Sequence, residues 1–384
     1  MVIGGRGEDV AALSAAASAL ELRVVRCPAQ SAGEVLEALH PTSRRSAFAG
    51  VMAAERAAVP VAWQVSEALG LPRLRNPIGV QLAGSRLATL ARLASAGVRV
   101  PSWRTVASPD DIPDRAASGH AWEWALKLDT PRSAPVVLPT RRMRAAQAYA
   151  LAASHGPPVY AQRWLPGTHL CAVGALVGGR LTTLTVLSRA FLGATPYQIT
   201  CGFDRIQHPR LPEIAGLVES VARACRWTLG PIVVDLVESA HSGALAVVDA
   251  HPTVGEGGVP QLVGVDALRA TLSAVCGQPS QGPVIIQPSE PMSLRYVMTV
   301  DGDAGQLVRQ FEDRPRRMPA GVVRAVRPGD RIGEGLSRSE VWGWAIAAGE
   351  SAAEILAAEC YASVELMAPP KGAPGSEADA DVDG

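Results

Sequence analysis

Val233-Val234-Asp235-Leu236 and, beyond a turn at His241-Ser242-Gly243, Val247-Val248-Asp249-Ala250-His251-Pro252 form the stretch whose reading decides the fold. Both halves are rich in β-branched residues and separated by a short polar turn, so they read as a hairpin. Side chains alternate faces along a strand, so Asp249 and His251 project together. A three-residue loop pairs positions whose numbers add to 484, which sets Asp235 opposite Asp249. Facing carboxylates repel and are costly to desolvate unless a cation lies between them. Val, Leu and Ala flank both, which puts the hairpin in a core sheet. Hard oxygen donors in this arrangement suit Mg²⁺ with phosphates completing its shell.

Working outward, the whole chain narrows the function classes. It has 384 residues, enough for two or three compact units. Its 36 basic and 36 acidic side chains balance, leaving no electrostatic case for nucleic acid or an anionic membrane surface. The arginines around 314–317 and 324–331 lack the interleaved aromatics of a single-strand binder. No apolar run approaches the ~18 residues needed to cross a bilayer, and no signal peptide is visible. Six cysteines stand far apart with no CxxC pair, as expected of reduced thiols in a cytoplasmic protein. Only two lysines occur, Lys127 and Lys371, and Asn76 is the only asparagine. Lys371 falls in a Pro/Gly/acid-rich tail, so Lys127 is the single lysine of the folded body.

The pattern along the chain begins β-α-β: a strand at Val2–Gly5, a helix at Glu8–Leu20 and a strand at Leu22–Val25. The intervening Gly4-Gly5-Arg6-Gly7 lacks the GxGxxG spacing and reads as a plain strand–helix turn. Helical patterns follow at Ala32–Leu39, Val51–Leu69 and Arg86–Ala96. Strands are expected at Trp103–Val106, Trp124–Leu128, Val136–Leu138, Val159–Trp164, His169–Val177 and Arg180–Ser188. Gly178-Gly179 signals a hairpin between the last two. Ser108-Pro109-Asp110-Asp111 opens a helix, and further helices are expected at Thr140–Ser154, Leu211–Arg226 and Asp266–Val275. Gly277–Pro291 is a linker, and Ser293–Met367 a last α+β segment with a helix at Ser351–Tyr361. Trp342 and Trp344 read as core. The expected units are 1–102, 103–278 and 289–367, with 368–384 a disordered tail.

Five segments together resemble the ATP-grasp superfamily of carboxylate–amine and carboxylate–thiol ligases, over roughly Ala47–Val275. The family carries an acidic or amide residue on one strand and a Glu-x-Asn-Pro-Arg run fourteen positions later. Asp235 and Asp249 are fourteen apart, and Asp249-Ala250-His251-Pro252-Thr253 occupies the run. Ala83-Gly84-Ser85-Arg86 with Ala96-Gly97-Val98-Arg99-Val100-Pro101 resembles the segment that closes the N-terminal domain. Trp124-Ala125-Leu126-Lys127 resembles the strand whose lysine contacts ATP phosphates. Tyr160–His169 resembles the hinge whose backbone meets the adenine, and Gly255–Asp266 the glycine-rich turn and helix start. The C-terminal segment looks like the last module of amino-acid-ligase relatives.

The resemblance implies an α/β protein: an ATP-grasp body, an N-terminal β-α-β domain and a small C-terminal α+β domain. It implies ATP with Mg²⁺, Asp235, Asp249 and His251 holding the metal. Phosphate contacts fall to Arg86, Lys127 and Ser133, and nucleoside contacts to Gln162, Arg163, Trp164, Leu165 and His169. Arg189 and Arg132 are the candidate catalytic cations. The implied partners are small carboxylate and amine substrates, amino acids among them, with a homodimer left open. Departures accompany the match. Asp249 stands for Glu, and His251 for Asn, which admits Mn²⁺ as an alternative metal. Thr253 stands for Arg, and Asp129–Pro135 carries two prolines where the family has a flexible glycine lid. Two functions follow: a ligase working through an acyl phosphate, or a catalytically degenerate nucleotide-binding partner or sensor.

Overall fold

The computed structural model describes residues 1–276 except 4–6, 22–23, 25, 28–30, 40–47, 72–75, 113–123, 131–135, 139–143, 155, 157, 193–196 and 256–257. Beyond 276 it describes 284–285, 292–298, 305–309, 323–324, 331–332, 341–348 and 365–367.

The N-terminal unit runs β1 (Val2–Ile3), α1 (Gly7–Ser18), β2 (Arg26–Cys27), α2 (Ala32–Leu39), β3 (Met52–Ala53) and α3 (Val59–Ala68). The three strands make a parallel sheet in the order β2-β1-β3. One expectation is corrected here. Val51–Leu69 reads as one helix by its apolar spacing, yet Met52–Ala53 is a fully buried strand beside β1. A short apolar run does not distinguish a buried strand from a buried helix turn. The second strand likewise falls at Arg26–Cys27, past the expected Leu22–Val25. Helices α4 (Pro77–Gly84) and α5 (Arg86–Ser95) lead out of this unit. Asn76, the only asparagine, caps α4 by accepting from Gly79 N–H at 2.8 Å.

The body follows as β4 (Trp103–Val106), β5 (Trp124–Leu128), β6 (Val136–Val137), α6 (Ala145–Ala153), β7 (Val159–Arg163), β8 (Gly167–Val177), β9 (Arg180–Leu192), β10 (Tyr197–Ile206), α7 (Leu211–Cys225), β11 (Leu229–Ser239), β12 (Leu245–His251), α8 (Val259–Val263) and α9 (Val265–Val275). Its sheet runs β12-β11-β8-β9-β10-β6-β5-β7-β4. Ser108 opens only one 3₁₀ turn, Pro109–Asp111, where a helix was expected. Strand β10 and helices α4 and α8 add to the elements expected from the sequence. Gly178 and Gly179 both take positive φ (59° and 77°), the twist-matched hairpin turn their pairing announces. Gly167, where β8 begins, has φ 153°, and a Cβ there would lie 2.0 Å from the Glu238 carbonyl oxygen.

One hydrophobic cluster spans both units, joining Ile3, Val51 and Ala62 to Leu170, Ile232 and Val247. Trp227, 1% exposed, ties them further, its indole N–H donating to the Gly79 carbonyl at 2.9 Å. Burial of this kind stabilises at about 25 cal/mol per Å² of apolar surface. Past α9, Val284–Ile285 pairs with β9 inside the expected linker, and Met292–Met298 extends the body sheet along β10 and then pairs with Val341–Ala348. The helix expected at Ser351–Tyr361, the tail, and the side chains of Trp342 and Trp344 lie outside the described residues.

Candidate nucleotide site

The hairpin β11–β12 pairs Asp235 with Asp249, as the sequence predicts, but by a different route. Next to the turn the register is one residue short: Glu238 faces Leu245 and Leu236 faces Val247. Continued, that register would set Asp235 against Val248. A bulge between Leu236 and Asp235 takes up Val248 as an extra residue and restores the carboxylate pair. The Val248 carbonyl accepts from Gln162 Nε2 at 3.3 Å. The other end of that amide, Oε1, accepts from Lys127 Nζ. Lys127 faces Tyr160 across β5–β7, so Gln162 is its diagonal cross-strand neighbour. The bulge, the amide and the lysine are therefore one chain of hydrogen bonds.

Asp249 is held on all sides. Arg56 Nη1 lies 3.0 Å from both Oδ1 and Oδ2, Ala250 N–H donates to Oδ1 at 2.8 Å, and Arg86 Nε sits 3.1 Å from Oδ2 as a charge contact without hydrogen-bond alignment. Burial alone would raise the Asp249 pKa, but Arg56 and Arg86 outweigh it and hold the carboxyl well below the usual range. Arg56 comes from the 3₁₀ turn after β3 and is 2% exposed. Its Nε donates to the Ala83 carbonyl at 2.7 Å and its Nη2 to the Ala250 carbonyl at 2.9 Å. No motif pointed to Arg56, because its partner is 193 residues away.

Arg86 is placed by the start of α5. Ser85 caps that helix, accepting from Ala88 N–H, and Asp129 accepts from Ser85 Oγ at 2.9 Å and from Leu87 N–H at 3.1 Å. The residue two after Lys127 thus pins the helix that carries Arg86. On the other side of the pair, Arg189 Nη2 bonds Asp235 Oδ1 and its guanidinium lies 5.2 Å from the Phe203 ring centroid. Cys171 faces Asp235 across β8–β11, and burial, then the Asp235 charge, push its thiol pKa up. Burial pushes Lys127 down to about 8, opposed by Asp249 and reinforced by Arg86.

Along the hinge, Gln162 is 1% exposed, and both ends of its amide bond within the protein, to Lys127 and to the Val248 carbonyl. Arg163, the last residue of β7, has an exposed side chain. Trp164 and Leu165 are half-buried, and Trp164 stacks on His169 at 4.7 Å with Phe191 edge-on to both rings. Burial, then Arg189, lower His169 to about 3, and burial, then Arg56, lower His251 to about 4. His251 Nδ1 lies 2.8 Å from Thr253 Oγ1. Arg132 and Ser133 lie outside the described residues.

These contacts test the expected metal. Both oxygens of Asp249 accept hydrogen bonds within the protein, and the Arg56 and Arg86 guanidinium groups already neutralise its charge. Asp235 is charge-paired as well. The set does not fit a divalent cation, and among the described residues no group of three or more His, Cys, Asp or Glu is arranged to hold one.

Solved structures share this architecture from end to end. The L-amino acid ligase from Bacillus licheniformis superimposes with a TM-score of 0.71 at 15% identity, over 96% of this chain and 98% of that one. The N5-carboxyaminoimidazole synthetase from Staphylococcus aureus complexed with ADP gives 0.66 at 14%, over 94% and 95%. The chain has the ATP-grasp fold. A third ATP-grasp structure, the biotin carboxylase domain of 2-oxoglutarate carboxylase from Hydrogenobacter thermophilus with MgADP, ADP and bicarbonate, gives 0.65 at 11%, over 91% and 85%. No family model and no curated protein matches the sequence. Among the described residues no helix is long and apolar enough to cross a membrane.

Proposed function

We propose that the chain is an ATP-dependent carboxylate–amine ligase. The observation that carries this reading is the gathering of Arg86, Lys127 and Arg189 from α5, β5 and β9 around the Asp235–Asp249 pair, within an ATP-grasp fold. The adenine would lie along the backbone of 162–165 and the phosphates against the three cations. A substrate carboxylate oxygen attacks the γ-phosphorus and ADP leaves. Cations already in place stabilise the charge spread over the transferring phosphoryl oxygens. An amine then attacks the acyl phosphate carbon and inorganic phosphate departs. The similarity to an L-amino acid ligase makes amino acids the first acceptors to test.

A second reading has its own support. With Asp249 neutralised by Arg56 and Arg86, the chain would bind nucleotide as a partner or sensor without turnover. ADP release measured across amino-acid pools separates the two. The ligase reading expects amino-acid-dependent ADP release, and Lys127→Ala to weaken ATP binding by about 1.5–3 kcal/mol, a charged hydrogen bond. ATP binding with no ADP release for any carboxylate and amine pair would establish the sensor.

A further inference from the structure

We propose that this site binds the nucleotide polyphosphate without a divalent cation, because Arg56 occupies from within the protein the place a metal would take at Asp249. The inference rests on the cluster being the phosphate site of an ATP-type nucleotide, and not on turnover.

Three observations lead there. The first is what already holds Asp249. Oδ1 of Asp249 accepts from Arg56 Nη1 and Ala250 N–H, Oδ2 accepts from Arg56 Nη1, and Arg86 Nε stands 3.1 Å from Oδ2 as a charge contact. A metal ion at this carboxylate would sit directly against both guanidinium groups.

The second is that Arg56 cannot be displaced. Its side chain is 3% exposed and donates to two buried backbone carbonyls besides the carboxylate. Rotating it away would strand the Ala83 and Ala250 carbonyls inside the protein, where an unsatisfied acceptor is costly. Arg86 is the freer partner, at 17% side-chain exposure. Its departure towards a phosphate opens one oxygen of Asp249, but the fixed guanidinium stays beside it and repels a second cation.

The third is net charge. Arg56, Arg86, Lys127 and Arg189 stand against Asp235, Asp249 and, at the foot of α5, Asp129. The cluster is cationic before any ligand arrives. Arg86, Lys127 and Arg189 are the groups left to meet the phosphates, while Arg56 neutralises Asp249 from behind so that its carboxylate does not repel them. Arg56 is thus a positioning residue that acts through Asp249.

Free ATP carries more negative charge than its magnesium complex, so a site with its own cations favours the free form. Calorimetric titration of the full chain with ATP, once in EDTA and once in excess Mg²⁺, reads this directly. The expected result is binding in EDTA at least as tight as in Mg²⁺. Weaker binding in EDTA overturns the proposal and leaves the nucleotide site standing; no binding in either buffer overturns both. Mn²⁺ titrated into the protein without nucleotide, followed by paramagnetic resonance, should keep the signal of the free ion, and a protein-bound population would also overturn the proposal. Arg56→Met frees Asp249 and should make ATP affinity at least tenfold tighter in Mg²⁺ than in EDTA. A folded variant that stays indifferent to Mg²⁺ overturns the role given to Arg56. If the variant does not fold, the two titrations of the native chain still decide.

Discussion

Removing the Asp249 carboxylate leaves Arg56 charged, buried and committed to two carbonyls that keep it in place. Losing one partner of a buried ion pair costs about 3–5 kcal/mol, because the remaining charge has no counter-ion. Asp249→Ala should therefore lower the unfolding free energy measured in urea by that amount, and Arg56→Met in the same chain should recover much of it. Independent, additive losses in the two variants would show that the pair is not coupled. Sequence spacing located Asp249 but not this partner. The carboxylate fourteen residues from Asp235 is a local pattern, whereas Arg56 lies in a different unit and belongs to no motif. Lys127 was legible for a compositional reason, being the single lysine in a body built with arginine.

Helix α5 and strand β5 show how an element sets a site residue. Arg86 is the first residue of α5, and that helix start is fastened by Ser85 and by Asp129 at the end of β5. Asp129→Ala removes an acceptor from Leu87 N–H and frees the Ser85 hydroxyl. A lost cap costs about 0.5–2 kcal/mol. The expected outcome is that much loss in unfolding free energy, together with weaker ATP binding, since Arg86 is no longer held beside Asp249. Full retention of both, read by denaturation and calorimetry, would remove Asp129 from the positioning of the site. The same scale explains the hairpin. Its turn sets a register one short of the carboxylate pair, and the Val248 bulge corrects it. Alternation of residue types could not show a bulge, because an inserted residue of the same apolar type leaves the pattern unchanged.

Across the whole molecule, the buried imidazoles make stability fall in acid. His251 and His169 have folded pKa values lowered to about 4 and about 3, from an unfolded value of 6.5, by burial first and neighbouring arginines second. Below pH 6.5 the unfolded chain takes up protons that the folded chain refuses, so stability declines as pH drops from 6.5 towards 4. The Asp249 carboxyl, depressed in the fold, adds a loss of the same sign from about its unfolded pKa of 3.8 downward. Urea midpoints measured between pH 7.5 and 4.5 should fall continuously, and His169→Phe with His251→Asn should flatten the slope. A flat native profile would mean that these rings are solvated.

The sequence by itself determined most strands of the body, the hairpin with its paired carboxylates and the Gly178-Gly179 turn. These rest on alternation, turn chemistry and spacing, all of which are written within short stretches of chain. It also singled out Arg86, Lys127 and Arg189 as cations worth placing. Only the tertiary structure decided what those groups do to one another. It brought Arg56 and Arg86 onto Asp249 and Arg189 onto Asp235, turned Gln162 inward to hold Lys127 and left the Arg163 side chain exposed. The physical reason is that a carboxylate's role is set by which charge lies within about 3–4 Å of it, where Coulomb energy is large. That neighbour is chosen by folding across long separations and leaves no periodic trace along the chain.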